Sequence, residues 1–199
     1  MSLESSKNLG GIGAILMIVG VLASMGYAFA GVLSLVGIIL LMIGLKGMAD
    51  HFKEPGIFNN ALYAIIIEII GVVITVSVIV VGVLMALTSG FDWTNPNFTE
   101  LMDFSFIWEF IGIILIGVVV LMIMMIIAAL FLRKSFSLLA GKTGEKLFET
   151  AGLLMLIGAV LTIIAIGLVI VLIAWILVAV AFFQVKEQAA PTAAPPPPP

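Results

Sequence analysis

Long apolar runs separated by short polar ones dominate the chain. Six apolar stretches stand out, over approximately 9–27, 30–48, 57–87, 105–132, 147–165 and 167–185. Strands are usually 3–10 residues long, whereas a helix crossing a bilayer needs about 20 apolar residues at 1.5 Å rise each. The pattern therefore predicts an all-α integral membrane bundle of six transmembrane helices. The third and fourth runs exceed the minimum, so tilt or emergence into the headgroups is expected. A single helix over 147–185 would overshoot the membrane, so a turn is expected near Ile166-Gly167. The first pair is expected to turn within "SMGYAFAG" (24–31). Short uncharged connections of this kind suit tight first and third hairpins; with the longer third–fourth pair between them, three antiparallel hairpins are expected.

Composition agrees with that reading. Of 199 residues, 63% are hydrophobic and 10% charged, against roughly a quarter charged in soluble domains. The basic residues are strongly sorted. Lys7, Lys46, Lys53, Arg133, Lys134, Lys142, Lys146 and Lys186 all fall in, or border, the N-terminus, the 49–56 and 133–146 connections, and the C-terminus. With six crossings these four regions share one face. The positive-inside rule makes that face cytoplasmic, with both termini inside. The 88–104 connection is then outside, with Asp92, Glu100, Asp103 and a belt of Phe and Trp. Asn95-Pro96 reads as a helix start leading into the fourth span, and Asn97-Phe98-Thr99 is a glycosylation sequon on that outer side, expected to be unmodified. Ala28-Phe29-Ala30 has the form of a signal-peptidase site, but the first hairpin is expected to stay in the mature protein because it has an internal twin.

That twin is seen by aligning "GAILMIVGVLAS" (13–24) with "AGLLMLIGAVLT" (151–162). Met17 meets Met155, Gly20 meets Gly158 and Ser24 meets Thr162. Small residues recur every seven positions: Gly13 and Gly20 in the first span, Ala151 and Gly158 in the fifth. One deletion at the turn extends the match to Gly37 and Gly44 against Ala174 and Ala181, with Gly167 beginning the series in the sixth span. Seven residues are about two helical turns, so each series lies on one face, where small side chains let backbones approach closely. The first and third hairpins are thus expected to be a parallel internal repeat packed through these faces.

One residue breaks the apolar pattern. Glu68 sits inside "ALYAIIIEIIGVVI" (61–74). A charged carboxylate at mid-membrane costs about 2.5–3.5 kcal/mol on insertion scales. No Lys or Arg lies at matching depth. Its helical neighbours Ala61, Ala64, Ile65, Gly71, Val72 and Thr75, continued by Gly82 and Ala86, form the small-residue face of this span, which is expected to meet other helices. The expected state is a neutral acid hydrogen-bonded to Thr162, Ser34, Thr75 or a backbone carbonyl. The functional alternative is a proton or cation site.

Other chemistry is thin. With no cysteine and one histidine (His51), thiolate chemistry and paired-histidine metal sites are excluded, and no metal or other cofactor is expected. "AGKTGEK" (140–146) ends like a phosphate-binding loop, but the required early glycine is Phe136. It reads instead as the loop entering the fifth span, with Thr143 a candidate cap. No basic stripe suggests nucleic acid. "QAAPTAAPPPPP" (188–199) is expected to be an extended, disordered tail after a 1–187 membrane domain.

"SLESSKNLGGIGAILMIVG" (2–20), "GLKGMADHF" (44–52) with "IFNNALY" (57–63), and "LFETAGLLMLIGAVLTIIAIGLVIVLIAWILVAVAFF" (147–183) carry a resemblance. The chain resembles archaeal membrane proteins grouped as domain of unknown function 996. The resemblance implies a multi-span archaeal membrane protein and brings no reaction, ligand or catalytic residue. The leading expectation is a non-enzymatic structural or accessory protein of the cell membrane, bathed in lipid and packing with itself or a membrane partner. The alternative is a small transporter or channel using Glu68.

Overall fold

A computed structural model describes residues 2–24, 26–27, 29, 31–89, 104–164 and 166–186, with backbone alone at 86–89, 104–107 and 109. Asp92, Asn95, Asn97, Glu100, Asp103 and the proline tail lie outside the described residues. The helices are α1 (Leu3–Ser24), α2 (Gly31–His51), α3 (Pro55–Ser89), α4 (Phe104–Thr143), α5 (Leu147–Leu161) and α6 (Ile166–Gln184). A 3-10 turn, Thr162–Ile164, prolongs α5. Counting that turn with α5, six helices among the described residues are long and apolar enough to cross a membrane. Their outward faces are apolar, for example Val72, Val76 and Val80 on α3 and Leu115, Ile116 and Val119 on α4. Such surface would drive aggregation in water and suits hydrocarbon, where helices satisfy their own backbone polar groups. The chain is a multi-pass membrane protein.

Several helices run past the apolar segments. α1 starts at Leu3, α2 continues to His51, and α4 continues through the expected 133–146 loop as far as Thr143. The reason is amphipathicity. In that extension Ser135, Phe136, Leu139 and Ala140 are buried while Arg133, Lys134 and Ser137 are exposed. That is helical spacing with one face on the core, so the helix persists after the span ends.

Two tight turns close this end. Past α2, Lys53 adopts φ 51 and Glu54 N–H donates to Ala49 O at 2.9 Å, the wrapped-back bond of a Schellman stop. Pro55, which lacks an N–H to leave unsatisfied, then opens α3. Past α4, Gly144 has φ 74 and donates N–H to Ala140 O at 2.8 Å. Glycine adopts this left-handed backbone without a Cβ clash. Thr143 caps its own helix: its hydroxyl donates to Leu139 O and accepts from Glu145 N–H. Leu147 N–H at the head of α5 is met by Glu145 Oε1 at 3.3 Å.

Each helix packs against its neighbours in chain order, and α6 returns to α1, so the six close a ring. The contacts between consecutive helices run in opposite senses. Gly20 meets Ser34, Gly13 meets Leu41 and Gly44 meets Gly10. Gly82 meets Ile113 and Gly71 meets Met124.

Side-chain packing is concentrated at the end carrying the chain's cations. There Phe136, Phe148 and Phe182 are fully buried, with Phe148 edge-on to Phe182 at 5.0 Å between centroids. Leu45, Met48, Ile57, Leu139, Val178 and Val185 complete the layer. The Ser135 hydroxyl donates to Ile57 O, joining α4 to α3. Lys142 Nζ pairs with Glu54 at 3.2 Å, and Lys46 Nζ lies 5.5 Å from the Phe58 ring centroid.

Candidate functional site

Above the packed end the ring does not fill. A cavity of ≈ 280 Å³ lies among the helices, and every helix supplies part of its wall. Met17 comes from α1, Leu41 and Leu45 from α2, and Ala61, Ala64 and Glu68 from α3. α4 contributes Met125 and Ala128, α5 Met155, and α6 Trp175; Thr162 follows α5. The walls are overwhelmingly apolar. Small residues on α3 and α4 make the space: Ala61, Ala64, Ala128 and Ala129 are buried and line it, where longer side chains would occupy it.

Glu68 enters this space from α3, about 20 Å along the helix axis from Pro55 at 1.5 Å per residue. Its side chain is exposed and lines the cavity. Among the described residues no hydrogen bond or ion pair engages it. This differs from the hydrogen-bonded acid expected from sequence. The threonine hydroxyls expected to accept from it do not meet it. Thr162 donates to Gly158 O at 2.8 Å within its own helix, and Thr75, two turns beyond, donates to Gly117 O of α4 at 3.3 Å. The expected face is met in part: Ala61, Ala64, Gly71 and Thr75 are buried, but Val72, expected on the same face, is 47% exposed.

The small residues singled out from sequence lie at backbone contacts. Gly13, Gly20, Gly37 and Gly44 are buried between α1 and α2. A Cβ on Gly37 would come within 2.7 Å of Gly13 O and 2.8 Å of Met17 N, closer than real side chains approach. Ala151, Gly158, Gly167, Ala174 and Ala181 are all buried. A Cβ on Gly158 would meet Val171 at 2.6 Å. None of these residues touches Glu68 through a hydrogen bond.

No group of three or more metal-ligating side chains occurs among the described residues. The cavity offers one carboxylate and one threonine hydroxyl, which is too few oxygens for a hard cation that takes six or more ligands. Its four methionines, Met17, Met42, Met125 and Met155, and Trp175 are residues that sequence reasoning did not gather into a site. Only the alignment of Met17 with Met155 hinted at it. The others come from different helices, so no spacing along the chain could join them.

Comparison with known proteins adds a family. The chain is 29% identical over 187 residues to uncharacterized protein MJ1644 of Methanocaldococcus jannaschii, covering 94% of this chain and 95% of that protein. No solved structure matches. The family model described as "Protein of unknown function (DUF996)" matches residues 33–176, more than two-thirds of the chain and five of its six helices. The chain belongs to this family.

Proposed function

We propose that this chain is a non-enzymatic membrane protein that accommodates a small apolar guest among its helices, beside Glu68, and serves its binding or carriage. The observation that carries the reading is the cavity itself, walled by all six helices and reached by an unpartnered acid. Its volume of ≈ 280 Å³ gives room for a small guest or a lipid chain. The apolar walls argue against a route for hydrated ions, which need polar groups in place of lost water.

The small-residue faces support this reading over a scaffold that uses them to bind partners. Gly13, Gly37 and Gly44 are consumed between α1 and α2, and Gly158 and Gly167 between α5 and α6. A homo-oligomer or membrane partner would then use the lipid-facing apolar surface.

The proposed frame is three antiparallel hairpins in the cell membrane, with the cationic end and both termini cytoplasmic. The first and third are proposed as a parallel repeat. In support, Gly20 meets Ser34 and Gly158 meets Val171, and these pairs correspond under the sequence alignment.

Substitution tests the chamber. Leucine at Ala64 enters open space and should hold or raise the thermal midpoint in mild detergent. Leucine at Ala14, which is wholly buried in the core, should lower it by an overpacking cost of about 1–3 kcal/mol. Equal destabilisation at both positions would show that no chamber exists.

A further inference from the structure

The chamber's chemistry narrows its guest. Among the described residues Glu68 is its one ionisable side chain, and none of the eight Lys and Arg lines it. An ionised Glu68 therefore meets no counter-charge from the protein. A hydrated or hard cation cannot supply that charge well, because the site has one carboxylate and one hydroxyl where several oxygens are required. A neutral apolar guest would fit the walls but leave the acid without a partner. A cation wrapped in its own hydrocarbon satisfies both halves. It needs a single opposite charge, and its apolar bulk prefers Leu, Ala and Met to water.

Two further wall features match. Trp175 places an aromatic ring in the same chamber, and indole faces attract organic cations, most strongly where water is excluded. Met17, Met42, Met125 and Met155 are flexible and polarisable, so they can repack around guests of differing shape. The residues that make the space are alanines, which leave the acid sterically open.

We infer that the chamber is a binding site for a lipophilic monocation, an amine or quaternary ammonium bearing one alkyl or aryl group, held by charge pairing with Glu68. This rests on the chamber reading above and adds the guest's charge.

The test uses the full chain in lipid nanodiscs, with radiolabelled octyltrimethylammonium as probe and empty nanodiscs as blank. The competitor is 2,2-dimethyldecane, which has the same shape with carbon in place of the charged nitrogen. Saturable binding near one probe per chain is expected, with the neutral isostere competing at least tenfold more weakly. E68Q should weaken probe binding at least tenfold, E68D should retain most of it, and Ala128→Phe should abolish it by filling the chamber. Elution profile and thermal midpoint report whether each variant folds. If E68Q does not fold, the cation-to-isostere ratio on the unaltered chain decides alone. Binding that Ala128→Phe blocks, but that is indifferent to charge and to E68Q, overturns the monocation and leaves the chamber as an acyl-chain pocket. Absence of saturable binding for both probe and isostere overturns both readings.

Discussion

The two ends of this molecule are packed by different means. At the cationic end, large side chains from α2 to α6 interlock: Phe136, Phe148, Phe182, Leu45 and Ile57 are fully buried in one cluster, with Leu45 also forming part of the cavity wall. Towards the other end, burial belongs to small residues within consecutive pairs, such as Gly20 with Ser34, Gly71 with Met124, and Gly158 with Val171. Between those pairs the cavity opens. Lengths accentuate the contrast. α3 and α4 have 35 and 40 residues, whereas α5 has 15 and α6 has 19. A membrane protein cannot use water exclusion to drive helices together in lipid, so close packing and hydrogen bonds do the holding. Here one end interlocks five helices, while the other has contacts within pairs, among them the Thr75–Gly117 hydrogen bond. That difference is what permits a chamber without loss of the fold.

The comparison can be broken at either end. The largest effect is expected from Gly37→Leu, since even a Cβ there lies against the backbone of α1, which cannot yield as a flexible side chain could. The α1–α2 pair should separate, seen as loss of monodisperse protein after detergent extraction. Next, Phe148→Ala removes a ring from the packed layer and should cost about 3–5 kcal/mol, read as a lowered thermal midpoint. Ser135→Ala removes the donor to Ile57 O and should cost about 1 kcal/mol; no change would mean that side-chain interlock alone holds this end. The smallest effect belongs to Lys142→Ala. Its pairing with Glu54 is partly exposed, so a change of at most about 1 kcal/mol is expected, fading as salt is raised.

Reading along the chain located the helices well and their ends poorly. The apolar lengths set six crossing helices, because hydrocarbon thickness imposes a minimum on each. Residues 133–143 were expected as loop because Arg133, Lys134 and Lys142 interrupt the apolar run. They are helical because Phe136 and Leu139 still bury on one face. Glu68 stood out from its neighbours alone, since a lone carboxylate in an apolar run is unusual wherever it points. Its surroundings did not. The hydrogen bond expected of it is absent: Glu68 lines the cavity, and neither Thr162 nor Thr75 meets it there.

What the sequence determined by itself was therefore the solvent, the number of crossing helices and the presence of one acid among them. Those follow from local composition and from length against a fixed thickness. Whether the acid met a partner or an opening was decided by tertiary structure. Met17, Ala64, Met125, Met155 and Trp175 come together only through the ring closure of α6 on α1, and a cavity is the space that remains between surfaces that no stretch of chain contains.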